Sequence, residues 1–235
     1  MTRHILLVCL LGNPFELNLG GHQRTIFEII EYFKDKSQLE ITVITTKCSL
    51  KELTEKRLHS NITLYEIPIK KEWFKNQDLL YDNKDFLYKN IKTIYKNINY
   101  AISLVHSTYW ISGLLGSQLC QEYHLTQIHS VISTSCERKR NGFAPVSSHQ
   151  YESEQFFLPK VNCIISITES EYELLTKEYH IEPHKIIVVG RTVEDCFLHP
   201  AHLPSGNLET NISANHNVSF SPNTEWWANG AFCYV

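Results

Sequence analysis

Short runs of branched apolar residues alternate along the chain with stretches whose apolar positions recur at helical spacing. This alternation is the sequence form of repeated β–α–β units, in which helices join buried parallel strands. The predicted strands are Ile5–Leu11, Ile41–Thr46, Ile62–Ile67, Ala101–His106, Thr126–Ile132, Cys163–Thr168 and Lys185–Val189. The pattern therefore predicts an α/β fold built on a parallel sheet.

Three helices follow from the same pattern. Between the first two strands, apolar residues from Ile26 to Phe33 recur at i, i+3, i+4 and i+7, so one face of that helix is apolar. A second apolar stripe runs from Asp85 to Tyr100. The third helix spans residues 168–179 and begins with glutamates, whose charge stabilises the electropositive start of a helix.

After residue 198 the pattern changes to the composition of a linker. Residues 199–225 are rich in Pro, Asn, Ser, Gly and His and have few regularly spaced apolar positions. Residues 226–235 then form a new apolar run, which predicts a strand that is cut short and needs a neighbour to pair with. We predict a first domain over residues 1–198, a linker over 199–225 and the first strand of a second, essentially missing domain over 226–235.

Composition narrows the class of function. The 235 residues carry 22 Lys and Arg against 25 Asp and Glu, a formal charge of −3, and no long block of like charge, so we expect no nucleic-acid partner. The seven cysteines are spread singly and predict reduced thiols rather than a zinc site. The apolar stretch near the N-terminus is too short for a signal peptide, which favours a cytoplasmic protein.

The first strand-to-helix connection is the most suggestive loop. It runs over Gly12–Arg24 and ends with Gly20 and Gly21 at the start of a helix. Backbone N–H groups there, with no side chains in the way, form a seat for a phosphate, although paired glycines serve equally well as a tight turn. The phosphate-loop and dinucleotide glycine patterns are absent, which counts against a nicotinamide-dependent oxidoreductase or an epimerase.

Taken with other segments in the same order, this loop resembles the G-G-x-x-R start of family 4 glycosyltransferases. The matching segments are Gly20–Arg24, Val105–Gly113, Ile128–Ser130, Glu154–Ile165, Thr168–Glu171 and Lys185–Pro200. The similarity covers nearly all of residues 1–200, but Gly190–Glu194 stands where the family usually has P-N-G-[VI]-D. The resemblance implies the N-terminal domain of a GT-B enzyme, a Rossmann-like parallel sheet with helices on both faces.

The same resemblance implies an activity. A retaining glycosyltransferase takes a sugar from a nucleotide-diphosphate sugar donor and passes it to a carbohydrate or lipid-linked acceptor, without a metal ion or other cofactor. Gly20 and Gly21 would bind the donor phosphates, and His129 would contact the transferring sugar or orient the acceptor. The residues alone favour a structural role for His129, as a histidine that caps a strand end.

Glu152 and Glu154 lie two apart on a helix and therefore point apart, which argues against a joint acid–base role.

We predict a set of acceptor-binding residues: Arg24, His106, Tyr109, Trp110 and Arg138. His106 with Tyr109 and Trp110 predicts either an aromatic wall for the acceptor or a core aromatic pair. Arg24 either reaches a phosphate or the acceptor, or faces solvent. Arg138 lies in a basic run just past the His129 strand, where it either attracts an anionic acceptor or belongs to a solvated loop.

Two further expectations concern partners. A cleft between two lobes needs both walls, so the chain alone is expected to be inactive and to need a separate donor-binding domain or subunit. The alternative is a non-catalytic subunit that completes such a cleft between two chains. A lipid-linked acceptor would bring the protein to the inner face of the membrane by peripheral association.

Overall fold

The computed structural model describes residues 2–15, 21–34, 36–49, 51–144 and 147–190. The strands in these residues are β1 Arg3–Cys9, β2 Leu39–Lys47, β3 Thr54–His59, β4 Ile62–Pro68, β5 Leu104–Thr108, β6 Gln127–Ser130, β7 Cys163–Ser166 and β8 Ile186–Val188. The α-helices are α1 Gly21–Phe33, α2 Lys71–Lys75, α3 Gln77–Asp82, α4 Lys84–Asn97, α5 Trp110–Tyr123, α6 Ser135–Arg140, α7 Gln150–Phe157 and α8 Glu169–Glu178.

All eight strands join one sheet in the order β3-β4-β2-β1-β5-β6-β7-β8. Every neighbouring pair is parallel except β3 with β4, which is antiparallel at the sheet edge. The chain builds outward from β1 through β2 to β4, returns to β5 on the other side of β1, and continues to β8. Because the direction of winding switches between β1 and β5, the crevice at their carboxyl ends is where open α/β sheets bind ligands.

Helices lie on both faces of the sheet, which confirms the predicted fold class. Ile26 and Ile30 of α1 are buried against the face that carries Leu7 and Val43. The opposite face carries Leu6 and packs against α4, α5, α7 and α8. Each fully buried aliphatic side chain in these two clusters contributes about 1.5–3 kcal/mol to folding.

The seven predicted strands are all present, with shifted ends, and the three predicted helices correspond to α1, α4 and α8. Strand β3 was missed because its sequence, Thr54–His59, is mostly charged and polar and so lacks the alternation of a half-buried strand. Glu169 and Glu171 lie in the first turn of α8, where the sequence placed glutamates. Thr168 caps the helix by accepting from the Glu171 backbone N–H at 3.1 Å, and the Glu171 carboxylate accepts from the Ile167 N–H at 2.8 Å.

Several expectations concern residues outside the described ranges. The predicted linker over 199–225 and the strand over 226–235 both lie beyond residue 190, as does the proposed domain boundary at 198, so they stay predictions. Within the described part of the chain, no helix combines the length and the apolar character that a bilayer span requires.

Candidate functional site

The strands at the switch point end in sharply turned backbone. Gly12 after β1 has φ +98°, Tyr109 after β5 has φ +69°, and Ser133 after β6 has φ +55°. Positive φ is uncommon for residues other than glycine, and Tyr109, with ψ 156°, lies in a region that is almost confined to glycine. Such strain persists where the surrounding structure enforces it, and it gathers at functional sites. The carboxyl edge between β1, β5 and β6 is therefore the candidate site.

The loop after β1 is fixed to its neighbours on two sides. The Gln23 side-chain amide donates to the Leu11 carbonyl at 3.0 Å, and the Thr45 hydroxyl donates to the Gly12 carbonyl at 2.8 Å. A Cβ on Gly12 would come within 2.6 Å of Gln23 Nε2 and 3.2 Å of the Phe74 ring. Glycine is thus required here by both its backbone angle and the close approach of Gln23.

A pocket of about 150 Å³ opens beside this loop. It is lined by Gly12, Asn13, residues 46–49 at the end of β2, and Phe74 of α2. An engineered cavity of ~150 Å³ holds a benzene molecule, so this pocket has room for one small ring or one charged group of a larger ligand. It lies at the same edge as the strained residues.

A buried carboxylate orders one wall of the pocket. Glu66, at the end of β4, is fully buried and accepts from Asn13 Nδ2 at 2.6 Å, Thr54 Oγ1 at 3.0 Å, Lys56 Nζ at 2.5 Å and Lys47 Nζ at 3.2 Å. Burial alone would raise the pKa of Glu66, but the hydrogen bonds from Lys56, Lys47 and Thr54 outweigh burial and hold this pKa below its usual range. Glu66 is therefore ionised, and two ammonium groups surround one carboxylate.

The Glu66→Gln substitution is expected to lower the free energy of unfolding by about 2 kcal/mol at neutral pH. The amide keeps the shape of the side chain but turns an N–H toward a lysine or toward Asn13. The loss is smaller than for a fully buried pair, because the Lys56 side chain is 47% exposed and its ammonium group can reach water. Urea denaturation followed by circular dichroism measures it.

The pH dependence gives this prediction a second readout. Because the folded-state pKa of Glu66 is lowered, the stabilisation is present above the ordinary glutamate pKa and is lost as the pH falls through the folded value. Glu66→Gln should lack this acid-dependent loss, while Glu72→Gln, on the exposed surface of α2, should behave as the wild type does. Equal stability of Glu66→Gln and wild type would contradict the proposed network.

Tyr109 and Trp110, predicted as acceptor-binding residues, lie in the core. Their side chains are 5% and 2% exposed, and both belong to the cluster packed against the α5 face of the sheet. One side chain, Gln77 of α3, bridges them: its Oε1 accepts from Trp110 Nε1 at 2.7 Å, and its Nε2 donates to the Tyr109 hydroxyl at 3.1 Å. This arrangement is the core aromatic pair that the sequence left open, and contact with an acceptor stays a prediction.

The two predicted histidines lie on opposite faces of the sheet. The β5–β6 register pairs Ser107 with His129, whereas His106 pairs with Ile128. His106 is partly buried, its Nε2 lies 2.8 Å from Ser130 Oγ, and desolvation lowers its pKa to about 4, so the ring is neutral near pH 7. Because successive side chains of a strand alternate between faces, the two imidazoles do not share one cavity.

His129 lies beneath α5 rather than at the open edge. It is 2% exposed, its Nδ1 lies 3.0 Å from Ser107 Oγ, and its ring meets the edge of Phe157 with centroids 5.0 Å apart. Gln127 also donates to Ser107 Oγ, at 2.9 Å. In this structure His129 joins β5, β6 and α7, and direct contact with a transferring sugar stays a prediction.

One of the two predicted phosphate-binding glycines, Gly21, lies at the start of α1. Gly21 is the first residue of that helix, and no acidic side chain occupies its first turn. Gly20 falls outside the described residues, so a joint role of the two glycines is untested. Arg24 is exposed on the same helix, where its Nε donates to Glu28 at 2.9 Å and its guanidinium lies 5.7 Å from the Phe27 ring centroid. These contacts hold Arg24 along the helix surface.

Arg138 belongs to a helix, not to the solvated loop that the sequence suggested. Its Nε donates to the Ala144 carbonyl, beyond the end of α6, at 2.9 Å, and Thr134 caps the start of α6 by accepting from the Glu137 N–H. Glu154 of α7 holds the start of α6, because its Oε2 accepts from the Ser135 N–H at 2.9 Å. As predicted, Glu152 and Glu154 point apart: Glu152 is exposed and Glu154 is buried.

Sequence reasoning missed Glu66, Lys47, Asn13 and Gln77. A signal was present for Glu66, which follows Ile62 and Leu64 at alternate positions and so puts a charge on the buried face of a strand. No comparable signal marks the others, because their partners are distant in sequence. Among the described residues, no cluster of three or more His, Cys, Asp or Glu side chains has the arrangement of a metal site.

The comparisons with known proteins agree on one class. The model of a family described as Glycosyltransferase Family 4 matches residues 19–195, about three quarters of the chain. No curated protein sequence shows a significant match.

Solved structures with the same fold are distant in sequence. The sucrose-phosphate synthase of Thermosynechococcus elongatus has a TM-score of 0.61 at 17% identity, over 81% of this chain and 48% of that one. Arabidopsis thaliana UGT89C1, complexed with UDP, has a TM-score of 0.55 at 12% sequence identity, over 82% of this chain and 50% of that one. Medicago truncatula UGT71G1, complexed with UDP-glucose, has a TM-score of 0.52 at 12% sequence identity, over 80% of this chain and 51% of that one. The chain thus spans about half the length of these three structures.

Proposed function

Because the chain belongs to glycosyltransferase family 4, we propose that it is the acceptor-side, N-terminal half of an enzyme that transfers a sugar from a nucleotide-diphosphate sugar to a carbohydrate or lipid-linked acceptor. The family match over residues 19–195 is the observation that carries this proposal. The coverage of about half of each structural relative supports the division of labour, with a second domain or subunit as the donor side.

The donor is proposed to approach the carboxyl edge of the sheet with its diphosphate near the start of α1. Two of the structural relatives are complexes with UDP and UDP-glucose, which supports a nucleotide-bound donor. During transfer the bond between the sugar's anomeric carbon and the diphosphate breaks, and negative charge builds on the leaving group. Backbone N–H groups of Gly21 and its neighbours, with the partial positive charge of the helix end, would stabilise that charge.

The acceptor is proposed to enter between the ends of β1, β2 and β5. Its hydroxyl oxygen forms the new bond to the anomeric carbon, and its proton passes to the leaving diphosphate. The positive φ angles of Gly12 and of the strained Tyr109 shape the backbone at this edge, and the buried side chains of Trp110 and His129 hold the elements beneath it. Retention of the anomeric configuration is part of the proposal, as are a cytoplasmic location and peripheral contact with the inner face of the membrane where the acceptor is lipid-linked.

The test is a transfer assay with UDP-, GDP- and ADP-sugars and a panel of sugar, sugar-phosphate and lipid acceptors. The purified chain alone is expected to release nucleoside diphosphate at the rate of the enzyme-free control. A protein in which residues 1–190 are joined to the donor-binding domain of a family member should release it in proportion to acceptor. The anomeric configuration of the product, read by NMR, tests retention.

Two results would count against the proposal. Rapid turnover by the chain alone would remove the need for a second wall of the cleft. If the two-domain protein bound the donor but transferred sugar to no acceptor in the panel, while its donor domain kept activity with its native partner, the assignment of this half as the acceptor side would fail.

A further inference from the structure

The pocket beside the β1 loop carries an unbalanced positive charge. It is lined by Gly12, Asn13, Phe74 and residues 46–49, Lys47 among them. The Lys47 Nζ lies 3.2 Å from Glu66 Oε1, the oxygen that Asn13 Nδ2 reaches at 2.6 Å. The ammonium groups of Lys47 and Lys56 both contact the single carboxylate of Glu66. Two positive charges and one negative charge leave this group of three side chains with a net charge of +1. The Glu66 carboxylate already accepts from four side chains. The Lys47 ammonium has three N–H donors and directs one of these donors to Glu66.

The walls of the pocket are fixed in advance of any ligand. Asn13 is buried and held at both ends of its amide, with Nδ2 donating to Glu66 at 2.6 Å and Oδ1 accepting from the Phe15 N–H at 2.9 Å. The Thr46 hydroxyl donates to the Leu10 carbonyl at 2.7 Å, which ties the end of β2 to the end of β1. The protein therefore loses little conformational entropy when a ligand binds in the pocket.

The aromatic ring of Phe74 lies beside Gly12 in the same lining, where its Cε2 would be 3.2 Å from a Cβ built on Gly12. It is 38% exposed and comes from α2, which follows the end of β4. A sugar ring can lie against such a face while an attached anionic group reaches Lys47 of the same lining. The pocket thus combines one apolar wall, fixed backbone and one cation in a volume of about 150 Å³.

We propose that this pocket binds an anionic group of the acceptor, a phosphate or a carboxylate on a sugar, with Lys47 as its counter-ion. The proposal rests on the proposed function for the identity of the ligand as the acceptor. Binding of the anionic sugar itself requires only residues of this chain, so it is measurable without donor or turnover.

The test measures binding of glucose 6-phosphate, glucuronate and glucose to the full chain by calorimetry and by amide chemical shifts of Gly12, Asn13 and Ser49. At least one anionic sugar should bind about tenfold or more tightly than glucose, with shifts at these amides, because a charged hydrogen bond adds that much. Which of the two binds distinguishes a phosphate from a carboxylate. Equal affinity for all three probes, or no binding of either anion, overturns the proposal.

Variants test whether the anionic sugar binds in the pocket or is attracted by positive charge elsewhere on the surface. Lys47→Met should lose about tenfold or more in affinity for the anionic sugar, and Lys47→Arg should recover most of it. Glu66 keeps Lys56, Asn13 and Thr54 in Lys47→Met, so the variant should fold, which circular dichroism checks. The control Lys75→Met removes an exposed cation next to Phe74 and should bind normally. Equal losses in Lys75→Met and Lys47→Met would overturn the assignment.

The two proposals fail separately. If the chain binds the anionic sugar but a two-domain protein transfers no sugar, the glycosyltransferase proposal fails and the pocket stands. If transfer proceeds to a neutral acceptor with unchanged KM in Lys47→Met, the pocket assignment fails and the activity stands.

Discussion

Replacing Gly113 by alanine is expected to lower the free energy of unfolding by about 3 kcal/mol, at the upper end of the usual cost of overpacking a core. A Cβ at this position would lie 2.4 Å from two ring carbons of Phe157 and 2.7 Å from Cε1 of His129. Both rings are buried, so neither can swing into solvent. Helix α5 must therefore lift away from the sheet or displace α7.

Gly116, one turn further along α5, provides the matched control. Its added Cβ would lie 3.1 Å from Gln127 Nε2 and 3.3 Å from the Ser107 Cβ, contacts that a small shift relieves. Alanine also favours the helix over glycine by about 1 kcal/mol, so Gly116→Ala should be nearly neutral. Urea denaturation of both variants measures the difference. A Gly113→Ala protein as stable as Gly116→Ala would show that α5 does not approach His129 as closely as described.

The two glycines show where sequence reasoning ended. The sequence matched Val105–Gly113 to the family as one segment, and in the structure β5 is followed there by α5, which carries Gly113. The reason for the glycine is its contact with Phe157 and His129, which come from other elements. Such distant contacts leave no periodic trace near Gly113, so a local pattern gives no sign of how closely α5 approaches the sheet.

The strands were predictable because burial on both faces forces a run of apolar residues. Strand β3 escaped because it lies at the sheet edge, where charged side chains such as Lys56 and Arg57 reach solvent and also discourage pairing with other chains. The short helices α2, α3 and α6 have too few turns to show a period. They carry Phe74, Gln77 and Arg138, so the helices that shape the candidate site were the hardest to predict.

The histidines illustrate a second limit. The sequence placed His106 and His129 near the ends of neighbouring strands, and the structure agrees. Their faces depend on the β5–β6 register, because a shift by one residue exchanges the two faces of a strand. The register is set by packing against α5 and α7, and a strand pattern of four residues in β6 contains no information about it.

Glu154 is the buried carboxyl that holds the turn after β6, and its environment makes stability depend on pH. It is 3% exposed; Oε2 accepts from the Tyr179 hydroxyl at 2.5 Å, and Oε1 accepts from Gln150 Nε2 at 2.6 Å. Burial raises the pKa of Glu154 to about 7, although the hydrogen bonds from Tyr179, Ser135 and Gln150 partly oppose this. In the unfolded chain the ordinary pKa is about 4.3.

Between these two values the folded protein keeps the Glu154 proton that the unfolded chain has released. Stability should therefore fall by roughly 3 kcal/mol as the pH rises from about 4.5 to about 7, and the contribution of this group should then level off. Glu154→Gln removes the titration and turns an amide N–H toward the donors of Tyr179 and Ser135 or of Gln150. The variant should be least stable relative to wild type near pH 5 and closest to it near pH 8.

Urea denaturation at pH values from 5 to 8 tests this, because the contributions of the histidines that both proteins share cancel in the difference between their free energies of unfolding. Glu152→Gln is the matched control, because Glu152 is two residues away on the same helix but exposed, and it should parallel the wild type throughout. Parallel curves for Glu154→Gln and wild type would mean that Glu154 is ionised in the fold at every pH tested. The carboxyl that anchors Ser135, and through α6 the position of Arg138, would then be a permanent anion rather than a proton-linked one.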